Sequence, residues 1–432
     1  MKTPGRGHQA HSAVGGAALA NVVLAGLGGV SGILAARLLG VEGRGQLAAI
    51  QLPGFLISGI AMLGVPDAMT HFARRATSSA PAIVRTAFTV VTISSLVASL
   101  AFSPLIGTFL PDASPDVLRL ARLWMLLPPA TAFSGIPIAA FRALGREATW
   151  NVLRVLPGIL WIMTLVVSSI QPVEQRLDIA VHGQLLGVFA TGVAAWLLLA
   201  LRTGIRPGPG ASHSVAMLKY GLPLALSAVP QTLNISFDQL LLVRYVTPLQ
   251  LGYYVAAVSF SALVSPVVSA FGIVLFPRMS AAKDVSETQR LLVGLFRPAV
   301  ASATGLAFGA AVSASYVIPL LFGRSFEPAI PVARVLAPAG AVLACSIVLI
   351  AALQGLGRTK AVLSTEAAGL LVNAIVLIAL VPSSGIIGAA IASLCSYTTT
   401  FALRLRIVMS ATGTTLHLLL HGLDKPTTGV TP

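Results

Sequence analysis

Charge, and acidic charge above all, is what this 432-residue chain has least of. It holds only 13 Asp+Glu, and residues of either sign make up 9% of it. A water-soluble domain carries about a quarter charged residues, so a soluble multidomain enzyme is excluded. Cysteine is nearly absent as well. Cys345 and Cys395 both fall in apolar runs, which leaves no disulfide framework and no metal-ligand spacing. His-Glu-x-x-His, Gly-x-Ser-x-Gly and Walker A patterns are missing; Gly40–Gly45 resembles a phosphate loop only in its glycines and lacks the Lys-Ser/Thr. No cofactor is expected. Nor is any Lys/Arg-rich domain with interleaved aromatics present, so nucleic acid is not an expected partner.

What the chain does have is apolar length. Hydrophobic residues make up 56% of it, and its mean hydropathy is +0.89. Bilayer-length apolar runs recur from end to end, as in a helical membrane protein. Twelve are expected: 13–39, 46–72, 83–110, 118–143, 151–170, 179–201, 216–243, 250–277, 291–322, 329–356, 361–381 and 386–403. The first is longer than the apolar stretch of a signal peptide and reads as a retained span.

Lys and Arg number 28, giving a net charge of +15. With the N-terminus placed in the cytoplasm, 20 of the 28 fall in or beside the loops on that side, Lys2, Arg154, Lys283, Arg404 and Lys425 among them. Cation asymmetry sets orientation, so both termini are expected in the cytoplasm and the chain in the bacterial cytoplasmic membrane.

Two segments recur. Residues 33–49 align with 240–256, matching Leu34 with Leu241, Arg37 with Arg244, Gly45 with Gly252 and Ala49 with Ala256. AAFRALGRE at 139–147 aligns with AALQGLGRT at 351–359. Because six crossings is an even number, such a duplication gives halves of parallel topology. The expected architecture is therefore all-α, with twelve transmembrane helices in two parallel six-helix lobes around a central cavity. The lobes would be 1–201 and 215–403, joined by a Gly/Pro-rich linker at 202–214 and followed by a cytoplasmic tail at 404–432. Prolines within the spans bend helices that line cavities, and Gly28/Gly32 and Gly305/Gly309 have the spacing of close helix packing.

Ionisable residues at membrane depth are costly and so mark candidate sites. Arg37, Arg122, Arg297 and Arg334 lie inside the span edges and would suit a phosphate-bearing anion; snorkelling to the headgroups is the other reading. Asp238 and Glu366 lie deeper and read as gating or coupling carboxylates. Asp67, His71 and His182 lie near span ends and read as interfacial.

The stretches RLLGVEGRGQLAAI (37–50), YGLPLALSAVPQTLNISFDQLLLVRYVTPLQLGYYVAAV (220–258) and LQGLGRTK (353–360) resemble the polysaccharide exporters and Wzx-type flippases. Those belong to the multidrug/oligosaccharidyl-lipid/polysaccharide (MOP) exporter superfamily. The resemblance implies translocation of a polyprenyl-diphosphate-linked oligosaccharide from the inner to the outer leaflet by alternating access, for surface polysaccharide biosynthesis, with the polysaccharide polymerase machinery as a further partner. The drug-exporting branch, a cation-coupled multidrug antiporter, is the alternative; there acidic residues of the N-terminal lobe carry coupling, and here the first span has none. A membrane glycosyltransferase would need large loops bearing catalytic acids, whereas the outer loops, such as Pro111–Asp116 and Pro382–Gly385, are short.

Overall fold

The computed structural model describes residues 6–282 and 284–421; Lys2, Lys283, Lys425 and the tail beyond His421 lie outside them. Among the described residues there are helices and no strands. The first eight helices are α1 (Arg6–Ala61), α2 (Val65–Arg75), α3 (Ala80–Phe102), α4 (Ile106–Phe109), α5 (Pro115–Trp124), α6 (Leu127–Ala143), α7 (Glu147–Ser169) and α8 (Val173–Thr203). After an irregular segment at 204–213 come α9 (Ser214–Tyr245), α10 (Pro248–Ser261), α11 (Ser265–Ala281) and α12 (Val285–Phe322). The last three are α13 (Ile330–Gly355), α14 (Thr359–Thr412) and α15 (Leu416–His421).

Nine helical runs among the described residues are long and apolar enough to cross a membrane. The longest belong to α1 and α14, and each is two helices joined at a non-helical glycine: Gly40 (φ 71°) and Gly385 (φ 53°). The expected span at 118–143 falls within one of these runs, Pro115–Ala143, whose helix is interrupted. Pro128 and Pro129 lack the N–H groups that would bond the carbonyls of Trp124 and Met125, so the run divides there into α5 and α6. Large apolar side chains face outward, Leu100 at 74% exposure and Phe308 at 73%. Repeated over whole helices, such exposure is the surface of a chain solvated by lipid.

Contacts divide the chain into two compact units, Met1–Thr232 with Gln239–Ala256, and Leu233–Asp238 with Ala257–Pro432. The first has a core built around Met69, Val84, Phe141 and Trp196, drawn from α2, α3, α6 and α8. The second has its core around Leu275, Phe296, Cys345 and Leu353, from α11, α12 and α13.

The two segments with the strongest sequence similarity fold alike. At the end of α6, Gly145 takes φ +74°, its N–H bonds the Arg142 carbonyl at 3.1 Å, and the Arg146 N–H bonds the Phe141 carbonyl at 2.8 Å. At the end of α13, Gly357 takes φ +71°, its N–H bonds the Gln354 carbonyl at 3.0 Å, and the Arg358 N–H bonds the Leu353 carbonyl at 2.8 Å. Both are Schellman stops, in which the left-handed residue is glycine because any Cβ there is strained.

Gly45 and Gly252, equivalent in the other aligned pair, pack against each other's helix reciprocally. A Cβ on Gly45 would lie 1.8 Å from the carbonyl oxygen of Pro248, and one on Gly252 would lie 2.0 Å from that of Val41. The expected packing at the GxxxG spacings is a correction. Among the described residues no atom lies within 4 Å of where a Cβ on Gly28, Gly305 or Gly309 would stand, so these glycines make no close helix crossing there.

Candidate functional site

The most polar interior lies in the second unit, where α14 folds back on itself. Glu366 and Arg404 stand nineteen residues before and after the Gly385 turn, so the hairpin brings them level. The Arg404 guanidinium donates to Glu366 Oε1 at 2.5 Å, to Thr365 Oγ1 at 3.1 Å and to Ser346 Oγ of α13 at 2.6 Å. The other carboxylate oxygen of Glu366 accepts from Asn234 Nδ2 of α9 at 3.1 Å. Arg404 is fully buried and Glu366 nearly so.

One turn along α9, Asp238 accepts from Ser393 Oγ at 3.0 Å. Ser396 Oγ donates to Asn234 Oδ1 at 2.7 Å, and Asn373 Nδ2 donates to the Asn234 carbonyl at 3.3 Å. Asn234 and Asp238 are four residues apart and therefore share a helix face. The arrangement neutralises two charges where no water reaches them and holds α9, α13 and both arms of α14 together. Glu366 in this pairing is a held carboxylate, with both oxygens engaged.

Arg404 was expected among the cytoplasmic loop cations and is instead the most deeply buried cation of this cluster. The last span runs on past residue 403, since α14 continues to Thr412. The equal arms about Pro382–Gly385 were a partial signal, because residues equidistant from a tight turn come level, while the faces they occupy are set by packing. Arg154, expected at the flank of the span 151–170, stands seven residues inside α7. There it stacks on Trp150 at 4.4 Å and donates to Asn21.

The four arginines singled out in the sequence all keep exposed side chains. In the first unit, Arg37 stands three residues before the Gly40 bend of α1, and Arg122 lies in the last turn of α5. In the second, Arg297 lies on α12, and Arg334 lies in the first turns of α13, where it donates to Ser315 Oγ at 2.8 Å. Asp67 is exposed, 3.8 Å from Arg142; His71 stacks on Tyr220 with ring centroids 4.3 Å apart; His182 lies 3.2 Å from Asp178. Among the described residues no group of three or more His, Cys, Asp or Glu could hold a metal ion.

The sequence profile of the polysaccharide biosynthesis protein family matches residues 33–331. The chain belongs to that family. No curated protein matches it in sequence, but solved structures share its fold. The lipid II flippase MurJ, in an inward closed conformation, is 15% identical with a TM-score of 0.77, covering 91% of this chain and 87% of its own. An inward-facing multidrug resistance transporter of the MATE family is 16% identical with a TM-score of 0.73, covering 91% and 96%. A MOP-superfamily transporter from Pyrococcus furiosus, whose binding pocket is described as having reverse polarity, is 15% identical with a TM-score of 0.62, covering 93% and 96%. This family member therefore has the helical membrane fold of the MOP superfamily.

Proposed function

We propose that the protein is a flippase that moves a polyprenyl-diphosphate-linked oligosaccharide from the inner to the outer leaflet of the cytoplasmic membrane by alternating access. The observation that carries this reading is membership of a polysaccharide biosynthesis family on a fold shared with a lipid II flippase. The reading takes the twelve crossings as two parallel lobes, 1–201 and 215–403, with both termini in the cytoplasm. Arg37, Arg122, Arg297 and Arg334 serve as headgroup ligands, which their exposure among apolar helices supports. The physical task is to carry phosphate and hydroxyl groups through hydrocarbon, where each unpaired polar group costs several kcal/mol. Guanidinium forks supply the missing donors, while the polyprenyl tail stays in lipid.

Replacing any two of these four arginines by alanine is expected to abolish surface polysaccharide while the protein remains in the membrane, as scored by immunoblotting of membrane fractions. Undiminished export in the double variants would overturn the arginine assignment.

The MATE-like fold supports a second reading, a cation-coupled drug antiporter. It needs a carboxylate that exchanges cations, and Glu366 is already committed to Arg404. Proton- or sodium-dependent dye efflux lost on Glu366→Gln would establish it nonetheless.

A further inference from the structure

The sequence around the Gly145 turn gathers positive charge faster than the fold neutralises it. Trp150 and Arg154 lie four residues apart on one face of α7, and Arg142 reaches them from the last turn of α6. The guanidinium carbons of Arg142 and Arg154 stand 5.1 Å and 4.4 Å from the centroid of the same indole. Their charges are thus less than about 10 Å apart and repel.

The nearest acids do little to relieve this. Arg142 has Asp67 at 3.8 Å, a carboxylate 65% exposed. Among the described residues Arg154 donates to the neutral amide of Asn21. Glu147 is taken by Arg74 at 2.6 Å, and Arg74 also donates to the Arg142 carbonyl. Among the described residues Arg146 and Arg202 bond neutral oxygens, the Arg202 carbonyl and Thr149 Oγ1 respectively. Five guanidiniums therefore share two carboxylates.

The direction in which the pair faces selects among anions. On α7 the exposed large apolar side chains are Val152, Ile159, Met163, Val166 and Val167. At 100° per residue they form one stripe, and Trp150 and Arg154 lie on the opposite side of the helix. The clasp therefore turns away from the hydrocarbon that α7 faces, which disfavours an ordinary membrane phospholipid. Asn21 and Arg37 are separated by sixteen residues of α1, about 24 Å, so the clasp is remote from Arg37.

We infer that Arg142 and Arg154, splayed on Trp150, form a loading station that grips the diphosphate of the lipid-linked substrate before it reaches the other arginines. This rests on the flippase reading. Two guanidinium forks on one ring suit two adjacent phosphates better than one.

The test titrates the full chain, in nanodiscs of neutral lipid, with geranylgeranyl diphosphate, geranylgeranyl monophosphate and phosphatidylglycerol. The unaltered protein should prefer the diphosphate. Arg142→Gln with Arg154→Gln should weaken diphosphate binding by about tenfold or more, and Arg154→Lys, which keeps the charge but loses the fork, by a smaller factor; phosphatidylglycerol binding should not change. An unchanged diphosphate affinity in a monodisperse double variant overturns the inference, as does an equal loss for phosphatidylglycerol, which would mark an ordinary lipid contact. If the double variant does not fold, Arg154→Lys and Trp150→Phe decide, and unchanged affinity in both overturns it. The two readings separate cleanly. Diphosphate binding through the clasp, with surface polysaccharide intact after gene deletion, removes the flippase reading and leaves the clasp. Polysaccharide lost on deletion, with affinity unchanged in the double variant, removes the clasp alone.

Discussion

Glu366 and Arg404 carry the heaviest consequences of any two side chains here. Desolvating two charges is expensive, and the return depends on geometry and on further hydrogen bonds. Both conditions are met, since Arg404 also bonds Thr365 and Ser346, and Glu366 also accepts from Asn234. Removing one partner leaves the other charge stranded. Arg404→Met is therefore expected to destabilise the protein by about 3–5 kcal/mol, whereas Glu366→Leu combined with Arg404→Met should recover most of the loss. Thermal unfolding of the purified variants in detergent measures both. A single variant within about 0.5 kcal/mol of the parent would show that the pair does not hold the helices together. Glu366 was legible in the sequence as a charge in an apolar run. Arg404 was not, because a cation close to a span's expected end is equally consistent with a loop, and only the turn at Gly385 decides its depth.

Among helices, glycine decides which pairs can touch backbone to backbone. The spacing Gly305/Gly309 looks like a packing motif, yet it faces open space, while Gly45 and Gly252, which form no such motif, meet at a crossing. A GxxxG pattern states only that two glycines share a helix face; whether another helix lies over that face is not written in it. Gly45→Ala is accordingly expected to lose export or stability, since its Cβ would fall 1.8 Å from a backbone oxygen that no side-chain rotation can move. Gly28→Ala should be silent or slightly stabilising, because alanine is favoured over glycine in a helix by about 1 kcal/mol. Parallel export and melting measurements compare the two directly, and equal behaviour would contradict the close crossing. The break between α5 and α6 was half legible, since Pro128 and Pro129 name the carbonyls that lose their donors, but proline can bend a helix as well as end it, and the structure shows an end at Trp124 and a new start at Leu127.

For the molecule as a whole, charge and voltage act together. An inside-negative membrane potential favours outward movement of an anion by about 2.3 kcal/mol per charge per 100 mV. A diphosphate-bearing cargo would gain roughly twice that for two charges, a driving force available to the proposed flippase without a coupled cation. Reconstituted in vesicles, it is expected to move lipid-linked oligosaccharide faster when an inside-negative potential is imposed, with no requirement for a sodium or proton gradient. Transport that ignores voltage and demands such a gradient would overturn this energetic account and favour the antiporter.

Sequence alone determined that the chain is helical and membrane-embedded, because an apolar segment of bilayer length satisfies its backbone only as a helix. It also determined the duplicated stop at Gly145 and Gly357, whose glycines and following arginines impose the same local hydrogen bonds. Both results depend on residues close together along the chain. Tertiary structure alone decided that Arg404 closes on Glu366, that Gly45 meets Gly252 and that Arg142 and Arg154 share Trp150. In lipid, a helix's outward and inward faces are both apolar, so the pattern that betrays the buried side in water is missing. Which face is covered, and by what, is set by packing between distant segments.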